Sequence, residues 1–175
     1  MPAAEQSEYL YDASLLPQEL LSNLPDGLTL RPLAASDYAR GHLQLLTNLT
    51  SAPDVGQEAW SNRFDDFKRV NAVQLTYLPI VIVENDSDRL VGQATVFIER
   101  KFLRNAGLCG HVEDVVVDPR MQGKKLGLKL IEVLTALSEK VGAYKTILDC
   151  DPKNEAFYAK CGYENKGCEM AKYKK

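Results

Sequence analysis

The residues best placed to do chemistry stand in two short stretches. Gln122-Gly123-Lys124-Lys125-Leu126-Gly127 sets two glycines and two lysines just ahead of an apolar run with helical period. A helix start of that kind presents unpaired N–H groups and a partial positive charge, which favour phosphate by roughly 0.3–1 kcal/mol per interaction and up to ~2 kcal/mol when partly buried. The spacing matches neither G-x-x-x-x-G-K-[ST] nor G-x-G-x-x-G, so neither ATP nor a dinucleotide is the favoured ligand. On the loop alone, a solvated basic helix start with glycines for turning is an equally good reading. The second stretch is Glu113-Asp114, an acidic pair inside a strand otherwise apolar. With normal pleating one carboxylate would lie on each apolar face. Either a bulge splays the pairing there and frees backbone N–H groups around Asp114 and Val115, or a nearby lysine or arginine neutralises the charge.

These groups need a strand and a helix to hold them. Val115-Val116-Val117 is a continuous apolar run suited to a strand covered on both faces, and Asp118-Pro119 stops it. Leu126, Leu130, Val133, Leu134, Leu137 and Val141 then follow a helical period, with Gly142 where a left-handed terminal residue is wanted. Upstream, 28–33 reads as a first strand, Ser36 and Asp37 as caps of a helix from about Tyr38 to Leu49, and Gln57 to Val70 as a second helix with Trp60, Phe64 and Phe67 inward. Strands are expected at 78–83 and 90–101, the latter followed by a loop through Arg104-Asn105-Ala106-Gly107 and a partner beginning near Gly110. A further strand runs from Tyr144 to Cys150. Asn154 caps a short helix ending near Gly162, and 168–173 closes the sheet.

Composition narrows the class. A chain of 175 residues, 45% hydrophobic and 26% charged, suits one ordinary globular domain. Its formal charge of -3 offers no basic groove for nucleic acid. The acidic start without early lysine or arginine reads as neither a secretory signal nor a transit peptide, and no stretch approaches the ~20 apolar residues of a membrane span. Residues 1–26 read as an extension whose Tyr9, Leu10, Tyr11, Leu15 and Leu16 lie on the surface of a domain over 27–175. Cys109, Cys150, Cys161 and Cys168 are too widely spaced for a zinc motif and read as reduced core thiols of a cytoplasmic protein. With His42 and His111 the only histidines, no metal centre is expected.

Taken together, the acidic pair, the Q-x-x-G-x-G/A-like loop and the helix resemble the GNAT superfamily of acetyl-CoA-dependent N-acetyltransferases, with Lys125 standing where the first patterned glycine is usual. GHVEDVVV, ILDCDPKN, FYAKCGY, YDASLL and LRPL together are similar to the eukaryotic glucosamine 6-phosphate N-acetyltransferases, over nearly the whole chain. The resemblance implies an α/β GNAT fold: a mixed central sheet with helices on both faces and a bulged central strand. It implies acetyl-CoA as co-substrate, with Val115, Val116 and Val117 pairing along the pantetheine arm, Gln122, Gly123, Lys124, Lys125, Leu126 and Gly127 around the pyrophosphate, and Asn154 in contact with the cofactor.

For the acceptor it implies contacts from Thr47, Lys101, Arg104, Glu113, Asp114, Tyr144 and Lys145. Tyr173 falls where the family commonly has arginine. Glu113 would orient or deprotonate the amine, the Asp149 carbonyl would accept from it, and Tyr158 would protonate the leaving sulfur. A homodimer sharing its sites across the interface is implied too, with direct transfer in a ternary complex, since no cysteine sits in a nucleophile–base pair. Packing alone would also account for Tyr158, and solvation for each cation. The alternatives are a GNAT enzyme acting on another small amine or a peptide amine, and a CoA-binding sensor without turnover.

Overall fold

A computed structural model describes residues 8–174; the first seven residues of the expected extension, and residue 175, lie outside it. Five strands form one sheet in the order β1-β2-β3-β4-β5: Leu28–Pro32, Tyr77–Glu84, Arg89–Arg100, Leu108–Val117 and Ala143–Leu148. The first three pairings are antiparallel, and β4 runs parallel to β5. Helices α1 (Gln18–Leu21), α2 (His42–Leu46), α3 (Gln57–Val73), α4 (Leu126–Lys140) and α5 (Glu155–Lys160) complete the chain. This is the mixed α/β sheet expected, and β2 and β3 are buried along most of their length because helices cover both faces.

Helix α4 is the crossover between the parallel strands, and its inward stripe is complete. Leu130, Ile131, Val133, Leu134 and Leu137 are all fully buried, each large side chain contributing roughly 1.5–3 kcal/mol relative to exposure. It comes close to β4 because Gly110 has no side chain: a Cβ there would fall 2.2 Å from the Ser138 hydroxyl oxygen. Thr146 of β5 donates to that same oxygen at 2.8 Å, tying helix to sheet. On the opposite face a stack of rings links α3 to the sheet, Phe67 on Tyr77 at 4.3 Å, then Phe97 at 5.3 Å, then His111 at 5.8 Å.

Several expectations are corrected. The helix expected from Tyr38 to Leu49 is interrupted by Gly41, whose φ of 82° is left-handed, so a 3-10 turn at Ala35–Tyr38 precedes a short α2. Asp37 is fully buried, paired with Arg31 at 2.6 Å and accepting from the Ala34 N–H at 2.8 Å. The early aromatic and aliphatic residues belong to the core: Tyr9, Leu10, Tyr11 and Leu16 are buried, and Leu10 N–H donates to the Leu33 carbonyl at 2.9 Å. Residues 168–173 form no strand. Nothing among the described residues pairs with the outer edge of β5, since the tail after Tyr163 leaves the sheet. Of the four thiols expected in the core only Cys109 is fully buried; Cys150 and Cys168 are exposed, lying in the loop after β5 and in that tail.

Candidate active site

The acidic pair does make a bulge. Gln93 of β3 faces Val116, but Thr95 faces Glu113, so the single residue Ala94 opposes both Asp114 and Val115. Asp114 takes the strain with φ of 53°, and the kink lets both carboxylates stay accessible instead of pointing into opposite faces. On its other edge, β4 pairs with β5 only as far as Val112 opposite Leu148. Beyond that point the two strands part. Val115, Val116 and Val117 therefore keep a backbone edge with no partner strand among the described residues, the arrangement an extended amide-bearing ligand can join.

The divergence leads straight to the tip of α4. Asp118 caps a 3-10 turn at Pro119–Met121 by accepting from Arg120 N–H at 2.9 Å. The chain then turns through Gly123 at φ 84° and Lys125 at φ 57° and ψ 24°. Lys125 thus adopts the left-handed geometry that glycine takes without strain, the physical reason glycine is usual there. No side chain caps α4, so its first N–H groups are open to an anion. A cleft of about 560 Å³ lies at this tip, lined by Gln122, Gly123, Lys125, Leu126 and Gly127 on one side and by Phe157 and Lys160 of α5 on the other. Gly127 keeps it narrow yet open, because a Cβ there would already be 3.4 Å from the Phe157 ring. Lys124 does not line it.

Tyr158 follows Phe157, with ring centres 5.0 Å apart, and half-burial together with nearby Cys150, Cys161 and Tyr163 raises its phenol above the ordinary value. It therefore stays protonated at neutral pH and keeps a proton to give. Partial burial first, and then the charges of Asp114 and Asp149, raise the Glu113 carboxyl. Glu113, Asp114 and Asp149 accordingly form one electrostatic group where β4 and β5 diverge. Asn154 does not cap α5 with its side chain; Asp151 instead caps the preceding turn through Lys153 N–H at 3.0 Å.

Four of the predicted acceptor contacts are gathered. The Arg104 guanidinium lies 6.0 Å from the Tyr144 ring centre and the Lys145 ammonium 5.9 Å from it, a cation–π arrangement. Lys101 interacts electrostatically with Tyr144 and is bound at 2.6 Å by Glu99, which also holds His111 at 2.8 Å. Glu99, Cys109 and His111 have their ligand atoms within 4.8 Å of one another, but Lys101 is the cation this carboxylate already holds. Arg104, Asn105 and Ala106 all have φ near 57°, so the loop that carries Arg104 is a left-handed turn and not a right-handed helix. Thr47, at the end of α2, donates to the Gln44 carbonyl at 2.7 Å, and Tyr173 is exposed in the tail. Among the described residues no interaction joins these two to the cluster. Sequence reasoning missed the Glu99 bridge and the cleft wall of Phe157 and Lys160; the three-residue step between those last two, on one helix face, was the available signal.

Comparisons with known proteins place the fold in a family. A profile of the acetyltransferase (GNAT) family matches residues 43–163. The chain is 40% identical over 152 residues to glucosamine 6-phosphate N-acetyltransferase 1 of Dictyostelium discoideum, covering 87% of this chain and 94% of that protein. It is 42% identical over 144 residues to the Arabidopsis thaliana glucosamine 6-phosphate N-acetyltransferase, covering 82% and 95%. The crystal structure of glucosamine-6-phosphate N-acetyltransferase from Arabidopsis thaliana superimposes with a TM-score of 0.79 at 41% identity, over 83% of this chain and 97% of that one. An acetyltransferase structure from Trypanosoma brucei gives 0.77 at 37% identity, over 83% and 99%. With the profile spanning most of the fold and the relatives matching nearly end to end, the chain belongs to the GNAT family of acetyltransferases and, within it, to the group of glucosamine 6-phosphate N-acetyltransferases.

Proposed function

We propose that this protein transfers the acetyl group of acetyl-CoA to the amine of D-glucosamine 6-phosphate, giving N-acetyl-D-glucosamine 6-phosphate and CoA, by direct attack in a ternary complex that serves UDP-N-acetylglucosamine synthesis. The single observation carrying this is the bulged β4 leading into the open tip of α4, with a cluster of acidic groups on one side and of cations on the other. Acetyl-CoA, as co-substrate, supplies the activated acyl group. Val115 to Val117 hold its arm through their free backbone edge, and Gln122, Gly123, Lys125, Leu126 and Gly127 hold its pyrophosphate, with Asn154 beside it and Lys124 outside the cleft. N–H groups around Asp114 and Val115 meet the developing oxyanion. Glu113 orients the amine and takes its proton, and the Asp149 carbonyl accepts its other N–H; the raised affinity of Glu113 for a proton suits that role. Tyr158 donates to the departing sulfur.

Lys101, Arg104, Tyr144 and Lys145 bind the sugar phosphate, with Thr47, Asp114 and Tyr173 as further contacts, and no step needs a metal. The working unit is a homodimer. Supporting this are the unpaired edge of β5, the exposed tail over 164–174, and the exposed Phe102, Leu103, Met170 and Tyr173, surfaces that a second copy covers. The catalytic domain runs over 27–175, and 1–26 is an extension whose described part is stitched to it. The protein works in the cytoplasm, consistent with four free thiols; no helix among the described residues is long and apolar enough to cross a membrane.

The test is thiol release from acetyl-CoA with glucosamine, glucosamine 6-phosphate or a peptide amine as acceptor. Rapid release with the phosphorylated sugar alone is expected. Equal rates with and without the phosphate would remove Lys101 and Arg104 from their role, a preference for the peptide would favour the other acetyltransferase reading, and binding without release would leave a sensor.

A further inference from the structure

His42 is used by nothing above, yet it sits where three functional elements meet. It is the first residue of α2 and only 8% exposed. Trp60 of α3 donates its indole N–H to His42 Nδ1 at 2.9 Å, with the two rings edge to face 5.6 Å apart. An imidazole nitrogen that accepts a hydrogen bond carries no proton, so a neutral His42 must carry it on Nε2. That donor is buried with no partner in full hydrogen-bonding geometry, and so is an acceptor, Oε1 of Gln93, which is 3% exposed. The two side chains nonetheless interact, and His42 also feels the charge of Asp114. Gln93 faces Val116 immediately beside the bulge. Buried donors and acceptors in such a relation are costly to separate, at roughly 1–3 kcal/mol for a group left unsatisfied.

We propose that His42, together with Gln93, is a positioning residue for the acceptor side of the site: it seats α2, and with it Thr47, against the bulge that presents Glu113 and Asp114. Trp60 acts as the lock that selects the Nε2–H tautomer. Burial lowers the proton affinity of His42, and this outweighs the opposing influences of Gln93, Asp37 and Asp114, so the ring stays neutral at pH 7 and keeps a hydrogen-bond donor without adding a charge beneath the carboxylates. The kinetic part of this inference rests on the proposed reaction, while the tautomer does not.

The test has two arms on the full chain. Long-range ¹⁵N–¹H NMR of the imidazoles at pH 7 should show His42 neutral, protonated on Nε2 and bare on Nδ1. In Trp60→Phe the same spectrum should show a mixture of tautomers. Steady-state kinetics should show His42→Leu raising KM for glucosamine 6-phosphate about tenfold, with KM for acetyl-CoA within about twofold. His42→Gln, which can place an amide N–H near Nε2, should recover most of the loss. An Nδ1–H or doubly protonated ring in the wild type overturns the assignment, as do equal changes in both KM values or no rescue by glutamine. Where the leucine variant does not fold, the glutamine variant and Trp60→Phe decide it. Absent turnover on the amino sugar in the wild type would count against the proposed reaction, and the NMR arm would still judge the lock.

Discussion

Lys125 is the place where the loop's conformation and its charge can be separated. A left-handed backbone costs a residue with a Cβ roughly 1–2 kcal/mol, and Lys125 holds φ 57°. Lys125→Gly removes that strain, but glycine's extra freedom in the unfolded chain takes back about 0.4–1 kcal/mol. The net gain is then about 0–1.6 kcal/mol, centred on about 0.8 kcal/mol, and the central value raises the Tm of a chain of this size by about 2–3 °C. The same change deletes a cation facing the cleft. At low ionic strength that loses about 0.3–1 kcal/mol of affinity for CoA, a two- to five-fold rise in Kd. Lys125→Ala is the control, because it keeps the strain and loses the charge, so it should match the glycine variant in binding and melt below it. Calorimetry and CoA titration at about 50 mM and 500 mM salt measure both, with the binding differences shrinking at high salt. A glycine variant that melts at or below the alanine variant would refute the strain argument. Unchanged CoA affinity at low salt in both would refute the electrostatic one.

Other outcomes follow from the same geometry. Tyr158→Phe should lower kcat by roughly 10²–10⁴ with little change in sugar binding, and an unchanged rate removes the phenol from the reaction. Glu113→Gln should melt higher than the wild type at pH 7, because a carboxyl whose proton affinity is raised on folding stabilises the protein below the ordinary carboxylate range and loses that contribution as pH rises through its raised value. The two melting curves should converge near about pH 4, and a gap that is constant with pH would show that charge is not its origin. Gly110→Ala should cost about 1–3 kcal/mol by forcing α4 away from β4, measured by urea unfolding; a neutral result would mean that Ser138 moves aside freely.

The strands and α4 were legible because each is an apolar run or stripe bounded by turn residues, and the bulge because two adjacent carboxylates have no comfortable place in a regular buried strand. Where the reading failed, tertiary contacts outweighed local pattern. Ser36 and Asp37 look like helix caps, but Arg31, on β1 six positions before Asp37, draws Asp37 into a buried ion pair, and Gly41 then breaks the helix. The tail at 168–173 reads as a closing strand but finds no edge among the described residues. The cation cluster was legible only through resemblance, since Lys101 and Arg104 stand forty or more positions in the sequence from Tyr144 and Lys145 and meet because β4 and β5 lie side by side. Glu99, which holds Lys101, stands two positions before it on the same side of the extended chain, a local signal that sequence reasoning missed.

The open flank of β5 also has a bearing on how the protein is made. A row of backbone donors and acceptors with no neighbour is sticky toward any extended segment it encounters, and Lys145 is the only charged side chain of Ala143–Leu148 to discourage indiscriminate addition. A newly synthesised chain therefore exposes that edge to addition by extended segments of other chains. Crowded overproduction favours aggregates over the folded protein, and slow, cool expression should raise the soluble yield by keeping fewer such edges together at once.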